Sequence, residues 1–126
     1  MDVKIDTKEK FTVITPQESV ISVIMAEKLR DQLDFYHTKE VPHIVLNLKN
    51  LTNIDNSAAH IIASLQSQFY EKGHSFVICE MKEQVALVFE NEDLSDIMNI
   101  TPSESEAWDI VQMEEIEREL LKNFDN

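Results

Sequence analysis

The chain of 126 residues carries 24 Asp and Glu against 11 Lys and Arg, a formal net charge of -13, with one glycine, three prolines and one cysteine. With 43% apolar residues, that length predicts one compact unit that buries about two-thirds of its unfolded surface and needs no disulfide or metal to fold. The acid surplus disfavours DNA, RNA and anionic membranes as partners, because these require Lys and Arg to displace counterions.

The lone Cys79 cannot form an internal bridge, which points to a reducing cytoplasm. Residues 1–79 hold 10 acidic and 8 basic side chains, whereas residues 80–126 hold 14 and 3. The acid therefore belongs to the C-terminal third, where a solvated helix face accounts for it more simply than a dock for a basic partner. The start, Met1-Asp2-Val3-Lys4, is too charged for a secretory leader, and no apolar run approaches the roughly 20 residues of a membrane span. No repeat or linker divides the chain, so one domain over residues 1–112 and an acidic helical extension over 113–126 are expected.

In chain order, Val3 to Ile5 and Phe11 to Ile14 read as two short strands joined by a turn at Lys8-Glu9-Lys10. From Ser19 the period changes: Ile21, Met25, Leu29, Leu33 and Tyr36 recur every three or four residues and predict an amphipathic helix. Ile44 to Leu48 is β-branched and apolar throughout, the signature of a central strand covered on both faces. Ala58, Ile61, Ile62, Leu65 and Phe69 mark a second helix reaching about Lys72, closed by Gly73 at the place of a left-handed C-cap. Ser75 to Cys79 is a further buried strand, Val85 to Glu90 a short helix and Ile97 to Ile100 an edge strand. Ser103 three residues ahead of Glu106 has capping-box spacing and opens a last helix, which frays near Asn123 and is anchored to the sheet by Trp108. Strands alternating with helices argue for an α/β fold with a mixed sheet, whose functional groups sit beyond the carboxyl ends of the strands.

One glycine cannot build a phosphate-binding loop or a nucleophile elbow. His37, His43, His60 and His74 lack the spacing of metal ligands, so neither metal nor cofactor is expected. His60, one turn beyond Ser57, could form a Ser-His dyad, although a solvated surface histidine is the plainer reading. The informative stretch is Thr52 to Ala58, between the central strand and the second helix. There Asp55 or Asn56 can cap free N–H groups, and Ser57 falls in the first turn with its hydroxyl accessible. A phosphate on Ser57 would meet the positive end of the helix dipole.

His43 to Leu48, Leu51-Thr52, Ile54-Asp55-Asn56-Ser57, the following helix, Gly73 and Val77-Ile78-Cys79 together resemble the STAS domain of bacterial anti-sigma factor antagonists, from Val3 to about Val111. The most specific part is the strand followed by Asp-Xaa-Ser. The resemblance implies a sheet of four to five strands flanked by about four helices and no catalytic activity. It implies two partners, an anti-sigma factor that is also a serine kinase and a serine phosphatase. Ser57 matches the phosphorylated serine, and Asp55, Asn56, Ser57 and Ala58 form the implied partner-binding segment of a cytoplasmic monomer or weak dimer. Ala58 stands where the family commonly has glycine, and Thr15 to Ser19 lacks the usual Gly-Glu-Leu-Asp pattern. These departures motivate a second reading, a non-switching STAS subunit of a lipid transporter or signalling scaffold.

Overall fold

A computed structural model describes residues 1–124. Its elements are β1 (Val3–Thr7), β2 (Thr12–Pro16), β3 (Val20–Ile21), α1 (Val23–Asp34), β4 (Ile44–Asn47), β5 (Asn53–Ile54), α2 (Asn56–Glu71), β6 (Phe76–Cys79), α3 (Glu83–Asn91), β7 (Ile100–Thr101) and α4 (Glu104–Phe124). The main sheet has the order β1-β2-β4-β6-β7, antiparallel at the first pair and parallel at the others, which is the mixed α/β architecture expected.

Every residue of β2, β4 and β6 is buried, as unbroken apolar runs in a doubly covered sheet require. Alternation divides each strand between two cores. Ile14, Ile44, Leu46 and Ile78 join Leu29, Ile62 and Phe69 beneath α1 and α2, while Val13, Val45, Val77 and Cys79 join Ala107 and Val111 beneath α4. Trp108 is half-buried against the second core and stacks on Phe11 at 5.2 Å.

Two boundaries differ from the periodic reading. Helix α1 begins at Val23, capped by Ser22, whose Oγ accepts from the Met25 N–H at 3.3 Å. Ile21 is buried but extended, because Val20-Ile21 pairs in parallel with Asn53-Ile54. The edge strand is Ile100–Thr101 rather than Ile97–Ile100, since Ser95–Ile97 forms a 3-10 turn and Ile97 is solvent-facing. Helix α4 runs without a break from Glu104 to Phe124.

Gly73 closes α2 with φ of +78°. The His74 N–H donates to the Phe69 carbonyl at 2.8 Å and the Gly73 N–H to that of Tyr70 at 3.0 Å, a Schellman arrangement. A Cβ at residue 73 would meet nothing within 4 Å, so the cost of a side chain there is one of backbone conformation alone. Gly73→Ala is expected to lower unfolding free energy by about 1 kcal/mol, read from the denaturant midpoint at unchanged m-value.

At the amino ends of β4 and β6, histidines join α4 to the sheet. His43 Nδ1 accepts from the Ser75 N–H at 2.9 Å, so its proton sits on Nε2, which lies 2.7 Å from Glu115 Oε1. Nearby, His37 Nδ1 and His74 Nδ1 are 2.8 Å apart and hold one proton between them. Burial is the main cause lowering the pKa of all three below 6.5, with Lys72 adding to it at His37, the charged His37 and His43 rings, Arg118 and Lys72 adding to it at His74, and Glu115 opposing the shift of His43. The folded chain thus binds fewer protons than the unfolded chain at acidic pH. Stability is expected to be held above pH 6.5 and to drain away as pH falls through that value, seen as a falling thermal midpoint; replacing His74 with Gln should flatten the decline.

Candidate functional site

The candidate site begins where β4 ends. Asn47 is fully buried, and its Nδ2 donates to Glu80 Oε2 at 2.6 Å and Glu104 Oε2 at 2.7 Å, while its Oδ1 accepts the Lys49 N–H at 3.0 Å. Its amide is therefore satisfied on both sides, which a buried polar group requires. The chain then turns with the Leu51 N–H donating to the Leu48 carbonyl at 3.1 Å, and both leucines enter the core.

Residues 50–55 are fastened to the segment ahead of α1. Asn50 Nδ2 donates to the Pro16 carbonyl at 3.3 Å. The Ser19 carbonyl accepts from Thr52 N–H, Thr52 Oγ1 and Asn53 N–H at 2.7, 3.0 and 3.1 Å. The Asp55 N–H donates to the Ile21 carbonyl at 3.0 Å. With Ile54 buried as an anchor, this stretch is a fixed platform rather than a loose loop.

Asp55 occupies the N-cap of α2, its carbonyl accepting from Ala59 N–H at 3.0 Å, but its carboxylate makes no capping hydrogen bond. Asn56 is already the first helical residue, so it does not cap either. Asp55, Asn56 and Ser57 are exposed. The first-turn N–H groups beside Ser57 thus lack a side-chain cap. Ala58 is fully buried in the first core, with its side chain packed inward.

Val23, Asn53, Ile54 and Val88 border Asp55, Asn56 and Ser57 in a shallow, open depression between the start of α1 and α3. Beside these positions in the chain, Val20, Ile24 and Leu87 are exposed apolar side chains. All three fall inside segments read as helices, and nothing in the sequence marks them as surface residues.

The remaining chemical candidates are occupied elsewhere. His60 directs Nε2 to Glu92 Oε1 at 3.0 Å, and no hydrogen bond joins it to Ser57 among the described residues. Burial, helped by the Glu104 and Glu80 charges, pushes the Cys79 thiol up to about 12, so it carries no thiolate at neutral pH. No group of three or more metal-ligating side chains occurs among the described residues. No helix there is long and apolar enough to cross a membrane.

The model of the STAS domain matches residues 2–107. The chain belongs to the STAS domain family. Solved STAS structures have the same fold at low identity. A Thermotoga maritima protein assigned to the anti-sigma factor antagonists superposes with a TM-score of 0.75 at 20% identity, covering 87% of this chain and 94% of its own. The unphosphorylated anti-sigma factor antagonist SpoIIAA gives 0.69 at 18% identity, with coverage of 88% and 96%. The phosphorylated form of the Bacillus cell fate determinant SpoIIAA gives 0.62 at 16%, with coverage of 87% and 99%. Within this STAS fold, an anion in the first turn of α2 meets free N–H groups and the positive helix end. Ser57→Asp is therefore expected to raise stability by about 0.5 kcal/mol while leaving the amide NMR spectrum unchanged beyond residues 53–60.

Proposed function

We propose that this STAS protein is a cytoplasmic, non-catalytic anti-sigma factor antagonist that binds an anti-sigma factor serine kinase and is released by phosphorylation of Ser57. The observation that carries the reading is the exposed Ser57 in the first turn of α2, on a platform hydrogen-bonded to the segment ahead of α1. Asp55, Asn56 and Ser57 supply polar contacts, and Val20, Ile24 and Leu87 supply the apolar area that a specific interface needs at its centre.

Phosphorylation transfers the γ-phosphoryl group of ATP to Ser57 Oγ, with ADP leaving and the hydroxyl proton passing to a base of the kinase. The product adds about -1.5 to -2 charge beside Asp55. Inside a desolvated contact the neighbouring Asp55 adds like charge, and the first-turn N–H groups of α2 offset the phosphate by at most about 1 kcal/mol. Release by like-charge repulsion and desolvation follows, and a serine phosphatase restores binding by hydrolysing the phosphoester.

Incubation with the cognate kinase and ATP is expected to add one phosphate to the wild-type chain and none to Ser57→Ala, as read by mass spectrometry. Ser57→Asp is expected to weaken kinase binding at least tenfold in a calorimetric titration. Phosphate at another residue would overturn the site. A stoichiometric complex indifferent to Ser57→Asp would overturn switching and favour a constitutive STAS subunit of a larger assembly.

A further inference from the structure

Strand β1 (Val3–Thr7) ends the main sheet, bonded to β2 on one side and open on the other. The Asp2 carbonyl accepts from the Gln17 N–H and the Lys8 N–H donates to the Phe11 carbonyl, both at 2.8 Å. Even-numbered residues therefore turn their backbone groups to β2. Alternation along an antiparallel ladder leaves the N–H and C=O groups of Val3, Ile5 and Thr7 at the open edge. At the other end of the sheet β7 has only two residues, so β1 is the longer edge.

The side chains divide by face. Val3 and Ile5 stand opposite Pro16 and Ile14 on the side of α1 and α2, and Ile5 is 48% exposed. Lys4 and Asp6 stand opposite Thr15 and Val13 on the side of α4, and Asp2 and Lys8 continue their row. All four charged residues are exposed, and Lys8 Nζ meets Asp6 Oδ2 within the chain at 3.0 Å.

We propose that β1 is a self-association edge to which a second copy of the chain adds in antiparallel orientation, Ile5 opposite Ile5. Two observations select this occupant and register. The first is hydrogen bonding: Ile5 with Ile5, and Val3 with Thr7 twice, are pairs between residues whose backbone groups already face outward, enough for about six bonds between the copies. The second is charge. The same register sets Lys4 against Asp6 and Asp2 against Lys8 of the second copy, each twice by symmetry. A slip of two residues either way sets Lys4 against Lys4 or Asp6 against Asp6, and parallel pairing in register sets every charge against its own kind. A slip of four residues restores opposite signs but keeps only half of the ion pairs. Charges on an edge strand ordinarily hold copies apart; here their alternating sign favours one alignment.

Because both copies use the same edge, the pair closes and does not grow. Five residues from each copy make a small interface, which suits a dimer that dissociates on dilution. The depression beside Ser57 is bordered by α1, β5, α2 and α3 and not by β1, so the association stands independently of the phosphorylation reading.

Sedimentation velocity of the full chain from low micromolar to near-millimolar concentration tests the proposal. The expected result is a monomer that becomes a dimer as concentration rises. Lys4→Asp, which places a carboxylate opposite Asp6 twice, should weaken the dimer about tenfold. Combining Lys4→Asp with Asp6→Lys should restore it, because the signs are again opposite in the same register. Both variants should keep the wild-type thermal midpoint of the monomer, since both positions are exposed. Ile5→Cys should link to its counterpart under mild oxidation, as the two Cα atoms lie about 5.5 Å apart in such a pair, within the span of a disulfide, and Cys79 is buried. Thr7→Cys, set opposite Val3, should not. A monomer over the whole range, a dimer that Lys4→Asp leaves intact or the double exchange fails to restore, or equal linking of the two cysteine variants would each overturn it.

Discussion

Strand β4 has to be covered on both faces, and most of the molecule is arranged to meet that demand. Ile44 and Leu46 point to the core beneath α1 and α2, and Val45 to the core beneath α4, so the strand is the seam of two separate apolar clusters. Removing either cover would expose large apolar side chains, at about 25 cal/mol per Å² of surface returned to water. The one polar side chain in the strand, Asn47, stands at its carboxyl end where the chain must leave the core. Its amide joins the end of β6 through Glu80, the start of α4 through Glu104 and the next turn through Lys49. The last buried residue of the central strand thus sets the geometry from which the Ser57 platform starts.

Much of this was legible in the sequence because a doubly buried parallel strand needs an unbroken apolar run, and Ile44 to Leu48 and Phe76 to Cys79 are such runs. Gly73 was legible for a similar reason: a lone glycine at the end of a periodic helix has few other uses. The β3–β5 ladder was not. Two residues per strand carry no periodicity, and Ile21, four positions before Met25, fits the helical pattern it does not join. Its backbone is claimed instead by Asn53-Ile54, a tertiary pairing that overrides local preference. Ile97 misled in the opposite way, being apolar, next to a true strand and yet solvent-facing.

At the segment from Thr52 to Ala58, the sequence shows the helix start but not how each residue sits in it. Asp55 sits at the cap position expected of it, but its carboxylate leaves the helix N–H groups free, and Asn56 has already entered the helix. Ala58 lies on the inward side of the first turn, which alternation of burial within a helix start decides and a linear motif cannot display. The exposed apolar residues Val20, Ile24 and Leu87 come from three elements, β3, α1 and α3. Residues of that kind carry no shared signature in sequence.

The absence of glycine at residue 58 has a physical reading that does not depend on family habit. Glycine is required where a backbone must adopt positive φ or approach another group closely, and residue 58 does neither, being helical and buried with its Cβ in contact with the core. Alanine there favours the helix by up to about 1 kcal/mol over glycine and stiffens the first turn. A stiff first turn argues against a switch that works by refolding α2. A phosphate on Ser57 interacts with the helix dipole by at most about 1 kcal/mol at an exposed position, and with a favourable sign, so it would strengthen the helix it modifies. The penalty for the same charge falls on any surface that buries it without a counterion. Under the proposed reading, gating at this position acts between molecules rather than within one, and a rigid platform would deliver the whole charge change to the partner.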